Sequence, residues 1–186
     1  MLDRQPTLEG PALRLRPLRE DDWAALYAVA ADPLIWEQHP AHDRWRERVF
    51  RIFFDDALAN RGALVVIDKE NGAIIGSSRF QGLELGGGGS IEIGWTFLAR
   101  DHWGGAANRE LKRMMVGHAL RSVAECRFAV GETNRRSIRA LEKIGARLSP
   151  REDIREMAGK RERHLFFALD REGFSAGPLG RESEGA

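Results

Sequence analysis

Three shortages limit what this chain of 186 residues can be. It has one cysteine, Cys126, so no disulfide can form within the chain, and a reducing compartment is expected. Its 29 Lys and Arg residues nearly balance 28 Asp and Glu, so no general attraction to nucleic acid or membrane is expected. No stretch is apolar and long enough to span a bilayer, and residues 1–6 lack the apolar run of a secretory signal. We therefore expect a cytoplasmic protein.

The remaining composition is that of a globular domain, with 42% hydrophobic and 31% charged residues. The pattern predicts strand, helix, helix, three strands, helix, strand, helix and two strands. This order indicates an α/β (α+β) fold in which helices cover a mixed sheet of about seven strands. We expect one domain over residues 12–170, a loose segment at 1–11 and a disordered, Gly/Ser/Glu-rich tail at 171–186.

The most informative stretch is residues 91–108. Its first part alternates as a strand does, which places Ile91, Ile93, Trp95 and Phe97 on one face and Glu92, Gly94 and Thr96 on the other. A turn with Gly104 and Gly105 follows, and then an amphipathic helix. Glycines let backbone N–H groups approach an anion, and a helix N-terminus adds partial positive charge. The stretch therefore predicts a phosphate-binding turn.

The order of elements and two motifs resemble the GNAT superfamily of acetyl-coenzyme A-dependent N-acetyltransferases. The first motif is Trp-Gly-Gly-Ala at 103–106, where the long helix begins. The second is Asn-Arg-Arg-Ser at 134–137 with Glu-Lys-Ile-Gly-Ala at 142–146, which is similar to a signature of the branch with RimJ/RimL-type N-terminal acetyltransferases. The resemblance extends over about 13–169 and implies a mostly antiparallel sheet with helices on both faces and a splayed central strand.

The same resemblance implies where acetyl-CoA binds. Backbone N–H groups of the glycine turn would hold the pyrophosphate, backbone groups of the central strand would pair with the pantetheine arm, Asn134 would anchor that arm, and Ser137 would point at the thioester sulfur. The expected cofactor-binding residues are Thr96, Phe97, Leu98, Arg100, His102, Trp103, Gly104, Gly105, Ala106, Ala107, Asn108, Asn134 and Ser137.

Two positions depart from the family pattern. Asp101 stands at the first position of the turn, with Arg100 one residue early, so the Asp101 side chain is expected to face away from the pyrophosphate. The Tyr that many members use as general acid would fall at Leu141, which cannot donate a proton. Ser137 or water is left for that role.

Acetyl transfer to an amine requires removal of the ammonium proton, and Glu92 is the expected base because burial would raise its pKa. The alternatives are a water chain, or a Glu that merely pairs with an Arg on a half-solvated sheet face. Ser137 has an alternative role as a first-turn hydroxyl beside Asn134. Cys126 is expected in a buried strand, which argues against an acetyl-cysteine intermediate.

The early helices and their loop are expected to cover the acceptor side of the cleft, with Trp36, His39 and Trp45 as pocket residues. We expect Asp43 to begin the second helix and the nearby arginines to form a solvated face with ion pairs; these are Arg44, Arg46, Arg48 and Arg51. No metal is expected, since no carboxylate or cysteine cluster completes a site with His39 and His42.

The sequence therefore predicts an N-acetyltransferase that acts directly on a primary amine, either a protein α-amine or a small amine or amino acid. A xenobiotic or antibiotic amine is the second possible acceptor, and a non-catalytic CoA-binding sensor is the alternative outside enzymes. The expected assembly is a monomer or a homodimer.

Overall fold

A computed structural model describes residues 1–157 and 159–180. Within them, one sheet carries helices on both faces. The strands are β1 (Leu8–Glu9), β2 (Leu13–Pro17), β3 (Ala63–Asp68), β4 (Ile74–Glu84), β5 (Ser90–Leu98), β6 (Glu125–Gly131), β7 (Arg147–Met157) and β8 (Lys160–Asp170). The helices are α1 (Trp23–Ala30), α2 (Pro33–Trp36), α3 (Glu47–Asn60), α4 (Ala107–Ala119), α5 (Arg135–Lys143) and α6 (Arg171–Ala176). No helix in these residues has both the length and the apolar character that crossing a bilayer requires.

The sheet has the spatial order β1-β2-β3-β4-β5-β6-β8-β7. Neighbouring strands are antiparallel except for β5 and β6, which are parallel and pair only where Ser90–Glu92 meet Glu125–Arg127. Beyond that point the two strands separate. The mixed, mostly antiparallel sheet and its splayed central strand are confirmed; the eighth strand is the two-residue β1, which was not predicted.

Each face of the sheet has its own core. On β3, Leu64 and Val66 pack with α4, whereas Ala63 and Val65 pack with α1 and α3. Because both faces are covered, this strand is a continuous apolar run rather than an alternating one. The first core contains Leu111 and Met115 of α4, and the second contains Phe50 and Phe54 of α3.

A β-bulge at Trp95 breaks the predicted alternation of β5. Trp95 has φ +52, and the pairing with β4 shifts by one residue between Ser77/Phe97 and Arg79/Gly94. As a result Ile91 and Ile93 face the first core, but Phe97 lies in the second. The prediction that Phe97 shares the face of Ile91 and Ile93 was therefore wrong.

The region of the early helices differs from the prediction at the start of its second long helix and in its loop. The Asp22 carboxylate accepts hydrogen bonds from both terminal guanidinium nitrogens of Arg16, at 2.6 and 2.7 Å, and makes no capping bond to α1. The second long helix begins at Glu47 rather than beside Asp43. The short helix α2 occupies part of the predicted loop, and the Asp32 side chain caps it by accepting from the Leu34 N–H at 3.0 Å.

The two ends of the chain contribute to the first core. Leu2 is buried in it, although residues 1–11 were expected to be loose. The tail predicted at 171–186 instead forms α6 and then buries Leu179 completely, because this end of the chain packs on the α4 side of the sheet. Ala158, expected at the bend of the last hairpin, and residues 181–186 of the tail lie outside the described residues.

Candidate functional site

The separation of β5 from β6 opens a cleft with two adjoining cavities. The larger, of about 910 Å³, lies beside the end of β5, the glycine turn and α5. The smaller, of about 160 Å³, lies between the splayed strands and is lined by Glu92, Lys112, Asn134 and Ser137 among others. Thr96 lines both cavities, so the bulged part of β5 forms a shared wall.

The glycine turn supplies a row of free backbone N–H groups. Gly104 has φ +72, a conformation that side chains disfavour, and Trp103 is fixed by an Nε1–H bond to the Leu98 carbonyl at 3.0 Å. Among the described residues, the amides of residues 104–108 have no backbone acceptor, and the Glu110 N–H is the first to bond back, to Ala106 at 2.9 Å. A Cβ added at Gly104 or Gly105 would meet nothing within 4 Å, so space beside the turn is open. Such a helix start suits an anion.

The charged residues that line the larger cavity also favour an anionic ligand. Its lining, taken over the described residues, contains no Asp or Glu. It contains five Lys and Arg residues and two histidines: Arg109, Arg135, Arg136, Arg139, Lys143, His39 and His102. The Arg136 guanidinium lies 4.0 Å from the Trp103 ring centroid and donates to the Ile35 carbonyl at 2.7 Å, which holds α5 against α2. A polyphosphate would be attracted along this wall.

Most of the predicted cofactor-binding residues line the larger cavity, but Arg100 does not. Its guanidinium pairs instead with Asp32, the cap of α2. Asp101 is exposed and lies outside the lining, as expected. Ala106 and Ala107 also lie outside the lining; Ala106 is the N-cap of α4 and Ala107 is its first residue. The predicted residues that do line it are Thr96, Phe97, Leu98, His102, Trp103, Gly104, Gly105, Asn108, Asn134 and Ser137.

Asn134 and Ser137 lie where the two cavities meet. The buried Asn134 side chain caps α5 by accepting from the Ser137 N–H at 3.1 Å. The half-buried Ser137 side chain follows on the same face of the helix as Leu141, which also lines the smaller cavity. The motif thus has the capping role and also an orientation toward the cleft.

Glu92 lies in the smaller cavity with 18% of its side chain exposed. Burial raises its pKa, while the positive charge of Arg155, 3.7 Å away on β7, opposes that rise. The ion pair with an arginine, which was the alternative to the base role, is therefore present, and it lies inside the cleft. A carboxylate whose pKa is raised in this position is a stronger proton acceptor than an ordinary carboxylate.

Lys112, on α4, was not predicted to belong to the site. It is only 5% exposed, and its Nζ donates to the Thr96 hydroxyl at 2.8 Å; the Thr96 hydroxyl in turn bonds to that of Ser78 at 2.8 Å. Burial without a carboxylate partner lowers the pKa of Lys112 to about 7. The helix pattern indicated that Lys112 is buried, because a lysine between Leu111 and Met115 lies at the edge of the apolar stripe of α4.

The acceptor side of the cleft differs from its prediction at one residue. Trp36 and His39 line the larger cavity, and His39 also lines the smaller one. Trp45 is 37% exposed and lies outside both linings; its neighbour Arg44 points inward instead. Arg44 was expected on a solvated helix face, but it precedes α3 and is buried against the rings of Trp36 and Phe53.

The histidine is held in one tautomer by its own loop. The Ala41 N–H donates to His39 Nδ1 at 2.9 Å, so Nε2 carries the proton of the neutral ring. Burial, followed by the positive charge of Arg44, lowers the pKa of His39 well below its usual value. The imidazole therefore enters the cleft as a neutral group.

Solved structures of acetyltransferases share this fold. Mycobacterium smegmatis RimJ in complex with CoA-disulfide is 20% identical, with a TM-score of 0.71 over 94% of this chain and 90% of that one. Ribosomal-protein-S5-alanine acetyltransferase from Vibrio fischeri is 15% identical, with a TM-score of 0.65 over 90% and 98%. Spermidine N-acetyltransferase from Vibrio cholerae, in complex with CoA and spermine, is 14% identical, with a TM-score of 0.67 over 89% and 99%.

The family is decided by the sequence match rather than by these likenesses. Residues 12–147, more than two thirds of the chain, match the acetyltransferase (GNAT) domain. The match begins before β2 and ends at the start of β7, so it contains the glycine turn, the splayed strands and the Asn134–Ser137 motif. The chain belongs to the GNAT acetyltransferase family.

Proposed function

We propose that this protein transfers the acetyl group of acetyl-CoA directly to a primary amine that binds in the same cleft. The observation that supports this most is the continuity of the two cavities. Free amides and cationic side chains occupy one end, and a carboxylate with a raised pKa occupies the other. An anionic thioester donor and an amine could therefore meet at the bulged part of β5.

The residues present fit acetyl-CoA as the donor. Amides of residues 104–108 would hold the pyrophosphate, and the arginines of α5 would neutralise its phosphates. Backbone groups of Thr96, Phe97 and Leu98 face the gap left by β6 and would pair with the amides of pantetheine. Asn134 and Ser137 would contact the arm where the cavities join.

Glu92 would take the proton that the acceptor ammonium must lose before its nitrogen can attack. Ser137 would donate a hydrogen bond to the departing thiolate, since Leu141 cannot. Burial raises the pKa of Cys126 to about 12, so its thiol stays protonated and a poor nucleophile. This supports direct transfer within a complex of both substrates, in which alignment supplies much of the rate.

The acceptor class contains protein α-amines and small amines. The named neighbours are an acetyltransferase of a ribosomal protein and one of spermidine, so the fold serves both kinds of acceptor. A xenobiotic amine is a further acceptor of the same chemistry. The competing function is a CoA-binding sensor, which the Leu141 position permits because it removes the usual Tyr acid.

Thiol release from acetyl-CoA, measured with a panel of amines and peptides and confirmed by mass spectrometry of the products, tests the proposal. We expect acetyl-CoA to bind and at least one amine to be acetylated. Calorimetric binding of acetyl-CoA with no turnover on any amine would favour the sensor, and absence of binding would reject both functions.

A further inference from the structure

The cleft contains a buried cation that has no hydrogen-bond or ion-pair partner in the part of the chain that the structure describes. Arg44 is only 9% exposed, and its guanidinium lies 4.5 Å from the Phe53 ring centroid and 5.2 Å from that of Trp36. Among the described residues, no hydrogen-bond acceptor or ion-pair partner within bonding distance faces this group; Asp43 acts on it only at longer range. Its donors are therefore available to whatever enters the smaller cavity, which Arg44 lines.

A second buried arginine, Arg79, differs from Arg44 because it has hydrogen-bond partners within the fold. Arg79 is 2% exposed, but it donates to the Asp56 carboxylate at 2.6 Å and to the Phe53 carbonyl at 2.7 Å. Both terminal nitrogens of Arg79 thus have partners within the fold, one of them a carboxylate, and its Nε is the nitrogen without one. A guanidinium that is buried without such partners costs free energy, which a ligand's oxyanion can offset.

The other charged residues of the smaller cavity also favour an anionic group on the ligand. Counted over residues 1–157 and 159–180, its lining has one carboxylate, Glu92, which Arg155 already faces at 3.7 Å. Lys112 has a hydroxyl for its partner and no carboxylate. Because the pKa of Lys112 is about 7, that lysine is only partly charged at neutral pH, and the positive charge of this wall comes chiefly from Arg44. A polyamine or a polycationic antibiotic would meet like charge there.

We infer that the acceptor carries a carboxylate on the same small molecule as its amine, as a free amino acid does, and that Arg44 binds this carboxylate. The assignment rests on the proposed acetyl transfer, since it names the acceptor of that cleft. A planar guanidinium presents paired donors that match a carboxylate, and the flanking rings of Trp36 and Phe53 hold it in place. The smaller cavity, about 160 Å³, suits a small acceptor better than an extended peptide.

The first test compares each amino acid with its carboxamide as acceptor at saturating acetyl-CoA. The preferred amino acid should exceed its carboxamide in kcat/KM by roughly 10- to 100-fold, the effect of one charge-assisted hydrogen-bonded contact. Spermidine and peptides with an acidic second residue are included in the panel. Better turnover of the carboxamides, spermidine or the peptides would overturn the inference while leaving acetyl transfer established.

The second test replaces the guanidinium. Arg44→Gln should remove the preference for the carboxylate, chiefly by raising KM roughly 10- to 100-fold, while affinity for acetyl-CoA stays unchanged. Arg44→Lys should restore part of the preference. Arg48→Gln is the matched control, because Arg48 is an exposed residue of α3. A preference that survives Arg44→Gln would reject the role of Arg44.

A third measurement needs no variant, so misfolding of Arg44→Gln cannot obscure the result. The N-acetylated amino acid should inhibit the natural protein more strongly than the N-acetylated carboxamide does, at equal concentration. Equal inhibition would count against the inference. Loss of acetyl-CoA binding, by contrast, would show that the proposed function itself fails.

Discussion

At the scale of single residues, two groups in the smaller cavity could take the acceptor's proton, Glu92 and Lys112. Their pKa values shift in opposite directions. Burial raises the pKa of Glu92, whereas it lowers the pKa of Lys112 to about 7. Either group acts only when deprotonated, so turnover should rise with pH through the pKa of the group in use. The two roles therefore differ in which substitution removes that rise.

We expect Glu92→Gln to lower turnover by roughly a hundredfold near neutral pH, with little change in acetyl-CoA affinity, because the amide keeps the shape and cannot take a proton. The rising limb of the pH–rate profile should disappear with it. Lys112→Met is the comparison: if that variant loses the limb near pH 7 and Glu92→Gln keeps it, the lysine is the base.

Lys112 also makes a prediction about stability. Its pKa is about 7 in the folded protein and 10.5 ordinarily, so between these values the unfolded chain holds the extra proton. The free energy of unfolding should then rise with pH, by up to about 1.4 kcal/mol per pH unit. Lys112→Met removes this dependence on pH. The amount by which its free energy of unfolding exceeds that of the natural protein should therefore be largest at pH 7 and decrease toward pH 10.

Denaturant unfolding at several pH values, expressed as the difference between the two proteins, measures that trend and cancels titrations common to both. Lys160→Met is the control, since Lys160 is exposed at the start of β8. Curves for Lys112→Met and the natural protein that stay parallel from pH 7 to 10 would mean that Lys112 keeps its charge in the fold.

At the scale of elements, the glycine turn and α4 should act as one anion site. Gly105→Asp should weaken acetyl-CoA binding by at least tenfold, because the added carboxylate would repel phosphate beside amides 104–108. The protein should still fold, since a Cβ at Gly105 meets nothing within 4 Å. Gly86→Asp is a matched control in an equally open turn. Calorimetric affinity that is unchanged by Gly105→Asp would remove this turn from the site.

The elements were predictable wherever a local pattern decided them. The amphipathic helix after the glycine turn and the first-turn position of Ser137 beside Asn134 follow from neighbours in sequence, and both are present. The bulge at Trp95 was not predictable, because it depends on the register of β5 against β4. A strict period of two therefore placed Phe97 on the wrong face.

The residues that line the candidate site were likewise predictable where a local sequence pattern identified them. The Gly104–Gly105 turn and the residues Asn134, Ser137 and Glu92 could be named because each belongs to a motif or an alternating strand. Arg44 could not, because nothing in its neighbours shows that it is buried, and cationic residues are otherwise assigned to the surface. Lys112 was missed for the same reason, although its place beside the helix stripe of α4 indicated burial. Only the packing of α3 and α4 against separate faces of the sheet brings these two side chains toward one cavity.

At the scale of the whole molecule, the first core is closed by parts of the chain that are distant in sequence. Leu2 lies in this core with α4, and so does Leu179. The Arg109 guanidinium on α4 donates to the Pro178 carbonyl at 2.5 Å, and α6 places Phe174 against the same core. The end of the chain therefore supports the helix whose N-terminus forms the glycine turn.

Leu179→Ala should accordingly lower the free energy of unfolding by roughly 2–5 kcal/mol, the range for truncating a fully buried leucine. The side chain is 0% exposed, whereas that of Leu85 is 83% exposed, so Leu85→Ala is the matched control and should change stability by less than about 0.5 kcal/mol. Urea unfolding with and without acetyl-CoA measures both effects, because a ligand of the folded state stabilises it. If Leu179 only covers the core, acetyl-CoA should stabilise Leu179→Ala as much as the natural protein. A smaller stabilisation would show that the terminal segment also positions α4 for the coenzyme, and an effect equal to that of Leu85→Ala would place Leu179 outside the core.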